Sequence, residues 1–150
     1  MNYIFRTATE KDQANIKKLF IEMLQTIYHT ETVQGYAEGD LESFFHSPDH
    51  KIYIAEYEGL VIAYLSIEHH HEPSEYLYLD DLCVTKRHRN SGIGTHLIQT
   101  AEEYAKHTGI PAVVLHVEKC NLLAYKLYER LGYRIYRDEQ HRYSMVKYIK

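Results

Sequence analysis

Leu79-Asp80-Asp81-Leu82-Cys83-Val84-Thr85-Lys86-Arg87-His88-Arg89-Asn90-Ser91-Gly92-Ile93-Gly94 is the stretch on which the fold turns. Its first half continues Tyr76, Leu77 and Tyr78 as a run of bulky, β-favouring or apolar residues uninterrupted by Gly or Pro, which reads as a strand. Lys86-Arg87-His88-Arg89 forms a cationic turn. Ile93, Leu97, Ile98, Ala101, Tyr104 and Ala105 then recur at helical spacing, with Gly92 and Gly94 at the helix start. Strand, basic glycine loop and helix together make an anion cradle. The glycines let backbone N–H groups approach an anion closely, and the helix start adds unpaired donors and a positive dipole end. A nucleotide P-loop needs Lys-Ser/Thr after its last Gly, but Thr95-His96 stands there. The dinucleotide fingerprint needs another glycine spacing and a later acidic residue in a βαβ unit, so it is excluded too.

Upstream, Lys51–Tyr57 and Leu60–Ile67 alternate as two strands around the tight turn Glu58-Gly59. His69-His70-His71-Glu72-Pro73 ends the second strand, and Tyr76–Val84 returns as the third of a meander. Before them, Tyr3–Arg6 reads as a short strand and Thr9 as the N-cap of a helix carrying Ala14, Ile16, Leu19, Phe20, Met23, Leu24 and Ile27. Tyr28–Asp40 is a polar loop, and Leu41–Phe45 a short helix that stops before Pro48. Downstream, Gly109 caps the loop's helix, and Ala112–Val117 is a nearly continuous apolar run suited to a buried parallel strand. Leu122, Leu123, Tyr125, Leu127, Tyr128 and Leu131 give a helix closed by Gly132, and Tyr133–Arg137 with Tyr143–Ile149 form a last hairpin. This pattern predicts a mixed α/β (α+β) domain over residues 1–150 with seven strands and four helices.

With 150 residues the chain is sized for one domain with one sizeable core. No apolar stretch reaches the roughly 18 residues of a membrane span, and no charged-then-apolar leader opens the chain. Two cysteines without framework spacing suit a reducing cytoplasm. The net charge of −4 argues against nucleic acid as the main partner and is compatible with a cationic substrate.

Arg89-x-x-Gly92-x-Gly94 resembles the pyrophosphate loop of the GNAT superfamily of acyl-CoA-dependent N-acetyltransferases. A second motif, Leu115-His116-Val117-Glu118-Lys119-Cys120-Asn121 followed by Tyr128-x-x-x-Gly132-Tyr133, is similar to the family's strand, Asn, helix and Tyr-x-x-x-Gly-Phe/Tyr pattern. The order of the elements is similar to the GNAT fold as well. Two departures stand out: Lys86 where many members have Pro, and Asn90 where many have Gly. Asn tolerates left-handed backbone, so the loop is still expected to form. The resemblance implies acetyl-CoA as cosubstrate. Its pyrophosphate would rest on backbone N–H groups of Arg89, Asn90, Ser91, Gly92, Ile93, Gly94 and Thr95, with Arg87 and Arg89 near the phosphates. Its pantetheine arm would run along Leu82, Cys83 and Val84. Asn121 would contact the arm, and Tyr128 would aim its hydroxyl at the sulfur. The resemblance also implies a homodimer, since members of the family are often dimers.

Acetyl transfer to an amine needs an unprotonated nitrogen, a donor for the oxyanion and a proton for the leaving thiolate. A backbone N–H near Val84 suits the oxyanion, and Tyr128 the thiolate; Tyr128 also fits a plain helix-face aromatic. Three groups compete as base: Asp81, Asp80 and His116. Strand alternation puts Asp80 and Asp81 on opposite faces, so one of them would face the substrate while the other orients a loop. The residues His69, His70 and His71 alternate faces likewise, so no metal site is expected there. Glu31, Glu38, Asp40, Glu42, Glu68, Glu72 and Glu75, with the aspartate pair, favour a small cationic acceptor: a polyamine or diamine, an aminoglycoside or an amino acid. The alternatives are a protein N-terminal or lysine acetyltransferase and an acyl-CoA-binding regulatory module without catalysis. The expectation is therefore a cytoplasmic acetyl-CoA-dependent N-acetyltransferase without nucleic-acid or membrane partners.

Overall fold

The computed structural model describes residues 2–150. Its elements are β1 (Ile4–Thr7), α1 (Gln13–Tyr28), α2 (Asp40–Phe44), β2 (His50–Tyr57), β3 (Leu60–His70), β4 (Tyr76–Val84), α3 (Ile93–Thr108), β5 (Ala112–Glu118), α4 (Leu122–Arg130), β6 (Arg134–Asp138) and β7 (Arg142–Tyr148). The strands form one seven-stranded sheet in the order β1-β2-β3-β4-β5-β7-β6. Only β4 and β5 run parallel, as a strand–helix–strand crossover through α3 requires.

Strand alternation sorts the apolar residues onto two faces. Ile52, Ile54, Tyr64 and Cys83 pack with Ile16 and Leu19 of α1 and Leu41 of α2. Tyr53, Ala55, Ala63, Leu65, Leu77 and Leu79 pack with Ile93, Leu97, Ile98, Ala101 and Ala105 of α3 and with Tyr128 of α4. Arg6 braces the start of α1: its guanidinium donates to both oxygens of Asp12 at 2.9 Å and to Glu56 at 2.7 Å. The nearly buried Asp12 carboxyl also accepts the Thr9 N–H at 2.8 Å and is held below its ordinary pKa, chiefly by Arg6.

Three departures from the expected pattern concern β3 and β4. First, β3 does not stop at Ile67 but carries on through Glu68, His69 and His70, which pair with Tyr78, Leu77 and Tyr76. Leu77 is fully buried, so its packing holds the extra pairs in register. Second, the register shifts between Leu65 and Ile67: Ile67 faces Leu79, and Leu65 faces Leu82. Two residues of β4, Asp80 and Asp81, therefore stand against Ser66 alone, which is a β-bulge. Third, β4 pairs with β5 only from Leu77 to Leu79, against Val113 to Leu115. Beyond Leu79, the edge of β4 that faces β5 has no strand partner among the described residues. Among the described residues no helix is long and apolar enough to cross a membrane.

Candidate active site

The glycine loop owes its shape to a carboxylate from α1. Glu22 accepts the Thr85 hydroxyl at 2.9 Å, the Lys86 N–H at 2.9 Å and the Arg89 guanidinium at 3.2 Å. That pins the single 3-10 turn Lys86–His88 against the helix. Asn90 and Gly92 then turn the chain with φ of 61° and 82°, the left-handed region that Asn and Gly enter most readily. Gly92 caps α3, whose first-turn N–H groups lack partners within the helix and point into a cleft.

The cleft has a volume of about 470 Å³. Leu82 and Val84 of β4 line one side, His88, Arg89, Asn90 and Gly92–Thr95 its end, and Leu123, Ala124, Lys126, Leu127 and Arg130 of α4 the other side. Gly94 forms the floor: a Cβ there would lie 3.5 Å from Leu127 and 3.6 Å from Leu82. The site thus combines open backbone donors, three basic side chains and an apolar wall, the chemistry of a long phosphate-bearing ligand with an uncharged arm.

A second, acidic group stands where β4 bulges. Leu79 and Leu82 both join the α3-side core, so the two aspartates between them are not divided between faces. This corrects the alternation argument, and the bulge is its cause. Asp81 is committed: its Oδ2 accepts the Tyr36 hydroxyl at 2.7 Å, its N–H donates to Ser66 Oγ at 3.0 Å, and Tyr36 also bonds Tyr64 at 3.0 Å. Tyr36 lies in the segment between α1 and α2, stacked on Phe20 at 4.1 Å, so Asp81 anchors that segment over the sheet. Asp80 has no such donor among the described residues. Burial, reinforced by the charges of Asp81 and Glu68, pushes its pKa up to about 7.

His116 lies beside this group on β5. Its Nδ1 pairs with the Tyr78 hydroxyl at 2.8 Å. Burial and then Arg142 lower its pKa, which keeps the imidazole neutral at pH 7. Tyr128 belongs to the core on the α3 side of the sheet. No protein hydrogen bond holds its hydroxyl among the described residues, and its ring meets Tyr133 edge-on at 6.1 Å. Burial raises its pKa, and the charge of Asp81 adds to the rise, so the phenol stays protonated.

A family model described as the acetyltransferase (GNAT) family matches residues 21–133. The chain belongs to the GNAT family. An uncharacterized N-acetyltransferase of Methanocaldococcus jannaschii is 30% identical over 134 residues, which cover 87% of this chain and 78% of that protein. The chloroplastic GCN5-related N-acetyltransferase 6 of Arabidopsis thaliana is 37% identical over 62 residues, or 41% of this chain, and the match spans only 22% of its length. The PaiA N-acetyltransferase of Thermoplasma acidophilum, solved in complex with coenzyme A, superimposes with a TM-score of 0.81 at 18% identity, covering 99% of each chain. The sheet and helices described above are therefore a GNAT acyltransferase fold.

Among the residues singled out by the GNAT resemblance, Leu82, Val84, Arg89, Asn90, Gly92, Ile93, Gly94 and Thr95 line the cleft. Arg89 lines it with its guanidinium already engaged by Glu22 and by the Val84 carbonyl at 2.9 Å, so its charge is largely spent inside the protein. Five others do not line it. Cys83 is buried on the α1 side, its thiol 3.3 Å from Met23 Sδ. Arg87 is exposed on the 3-10 turn. The Ser91 hydroxyl bonds the His88 carbonyl. Asn121 caps α4, its side chain accepting the Ala124 N–H at 3.3 Å. Tyr128 lies beneath the sheet. Nor do the acidic residues gather as one group. Glu42 pairs with Lys17, Glu75 with His69 and Glu68 with His70, and of these three Glu68 is the one whose charge acts on Asp80.

Sequence reasoning missed the α4 wall. Leu123 and Leu127, and likewise Lys126 and Arg130, are four residues apart and form neighbouring stripes on the helix. The signal was present but ambiguous, because a leucine stripe usually marks core. Leu123 is instead 78% exposed. Tyr36 was missed as well, since a tyrosine in a polar loop carries no pattern of its own.

Proposed function

We propose that this chain transfers the acetyl group of acetyl-CoA to the primary amine of a small cationic acceptor, with Asp80 as the base. The observation that carries this reading is the Asp80 carboxyl, half-buried at the bulge without a donor and beside Asp81 and Glu68, surroundings that push its pKa up to about 7. A base poised at that value is ionised in a large share of molecules at neutral pH and takes a proton better than an ordinary carboxylate. Coenzyme A in the Thermoplasma relative supports a CoA thioester as donor. When bound, acetyl-CoA supplies the reactive carbonyl; the residues of this chain do the rest. The first-turn N–H groups of α3, with Lys126 and Arg130, hold the phosphates. The open edge of β4 past Leu79 pairs with the arm, and a backbone N–H at Val84 stabilises the oxyanion.

Asp80 receives a proton from the substrate ammonium, leaving a neutral amine. The new N–C bond forms as the C–S bond breaks, and Tyr128 gives its proton to the departing sulfur. The second proton lost by the nitrogen balances the one Tyr128 supplies. Glu68, Asp80 and Asp81 together give a concentrated negative pocket that suits an acceptor carrying a second positive charge. Asp81, tied to Tyr36, positions the segment that closes over the acceptor.

The test is thiol release from acetyl-CoA across a panel holding a diamine, an aminoglycoside, a free amino acid and a peptide with a free N-terminus. The highest kcat/KM is expected for the diamine or the aminoglycoside. Turnover confined to the peptide would replace this acceptor class with a protein N-terminus. Tight CoA binding without thiol release from any amine would leave a binding module.

A further inference from the structure

The end of the sheet opposite the glycine loop carries a cluster that acetyl transfer does not use. The backbone N–H of His69 donates to the Asp49 carbonyl at 2.7 Å, while His50 pairs with Glu68, so Asp49, just before β2, lies opposite His69 of β3. His71 follows His69 by two residues and returns to the same face. Alternation therefore separates only His70 from this set. The expectation of no metal site rested on the alternation of all three histidines.

Donor atoms of Asp49, His69 and His71 all lie within 4.8 Å of one another. His71 Nε2 is 2.9 Å from Asp49 Oδ1, and the two imidazoles are 4.1 Å apart between centroids at 32°. A carboxylate oxygen of Glu75 stands 2.8 Å from His69 Nε2. Zinc bonds to nitrogen and oxygen are about 2.0–2.2 Å, so tetrahedral donors stand roughly 3.3 Å apart. The Asp49 and His71 side chains are 42% and 54% exposed, which leaves them room to rotate inward.

We propose that Asp49, His69 and His71 form a divalent transition-metal site, with Glu75 as the nearest fourth donor. Two imidazoles and two carboxylates suit Zn²⁺ and exclude a site built for Ca²⁺ or Mg²⁺, which take oxygen ligands. The site joins the segment before β2 to the β3–β4 connection. Strand β4 spans Tyr76–Val84 between this cluster and the glycine loop, which puts it on the order of 25 Å from the loop. The metal's role is thus to clip three strand ends together rather than to take part in acyl transfer.

The test is calorimetric titration of tag-free protein with ZnCl₂, paired with thermal melts. The expected result is one Zn²⁺ per chain and a Tm that rises with Zn²⁺ concentration. The double variant His69→Gln/His71→Gln should lose at least tenfold in Zn²⁺ affinity and the Tm response. The variant His70→Gln keeps both, because His70 lies on the other face, stacked on Tyr76 at 4.8 Å. Should the double variant fail to fold, Asp49→Asn makes the same comparison. The proposal is overturned by a wild type that takes up no stoichiometric Zn²⁺, or by uptake that survives the double variant.

Discussion

Leu82 and Val84 on one side of β4, and Asp80 and Asp81 at its bulge, are neighbours on a single strand, yet their surroundings are opposites. The cleft beside Leu82 and Val84 is open, basic and built largely from backbone donors and apolar walls. The group at the bulge is half-buried and acidic: Asp81 accepts from the Tyr36 hydroxyl, while Asp80 has no donor among the described residues. Charge is thereby sorted across one strand, so an anionic ligand and a cationic one can approach the same backbone from two sides. The difference also has an energetic side. Backbone donors at a helix start exist in any folded helix and cost nothing extra to leave open to water. Two carboxylates forced together away from water oppose folding whenever both are ionised.

Replacing Asp80 by Asn tests that contrast hardest. The base reading predicts a fall in kcat/KM of about 10²–10⁴-fold at neutral pH. It also predicts that the rise of wild-type activity through about pH 7, as Asp80 loses its proton, disappears in the variant. Stability should move the other way. The folded protein keeps the Asp80 proton up to about pH 7, whereas an unfolded aspartate releases it near pH 4. Wild-type stability therefore falls as pH rises through that window, and the neutral amide escapes the loss. Asp80→Asn should melt higher than wild type at pH 8 and lose that advantage at pH 4. An activity loss accompanied by a lower Tm at pH 8 would make Asp80 structural and dissolve the contrast between the two pockets.

Tyr128 lies on the α3 side of the sheet, and its removal has a smaller expected effect. Tyr128→Phe takes away a hydroxyl that no described residue bonds, so folding should be unchanged within about 0.5 kcal/mol. As proton donor to the thiolate, the hydroxyl acts only as the C–S bond breaks. Its loss should therefore lower kcat about 10²-fold while leaving KM for both substrates nearly constant. Full activity in Tyr128→Phe would return this tyrosine to the core, where its contacts with Tyr133 suffice to explain it.

The same contrast explains which parts of the molecule were legible in its sequence. The loop was, because Gly92 and Asn90 answer a local need, a positive φ, and single residues announce it. Strand and helix order was legible too, because alternation and helical spacing are short-range; α3 carries Ile93, Leu97, Ile98, Ala101 and Ala105 to the core as its spacing requires. The bulge was not. It arises from the pairing of Ser66 with two residues on another strand, and no feature of Asp80-Asp81 itself betrays it. The strict alternation that read Ile52–Ala55 correctly gave the wrong faces at the bulge. In the tandem histidines it sets His70, stacked on Tyr76, apart from His69 and His71. The α4 wall failed for a third reason, since Leu123 facing a ligand cleft and Leu123 facing a core have the same sequence.

The finest test separates the two glycines of the loop. Gly92 has φ of 82° and open space where a Cβ would go, while Gly94 lies inside the helix with Leu127 and Leu82 at contact distance. Alanine at position 92 must adopt left-handed backbone and should cost about 1–2 kcal/mol of stability. Alanine at position 94 meets ordinary packing and removes a helical glycine, so stability should hold or rise by up to about 1 kcal/mol. Its methyl group nevertheless occupies the floor of the cleft. CoA affinity measured by calorimetry should then weaken on the order of tenfold, about 1.4 kcal/mol. A chain that folds better and binds worse is the mark of a glycine kept for close approach of a ligand. If Gly94→Ala binds CoA as the wild type does, the cleft is a surface groove, and the basic half of the comparison loses its ligand.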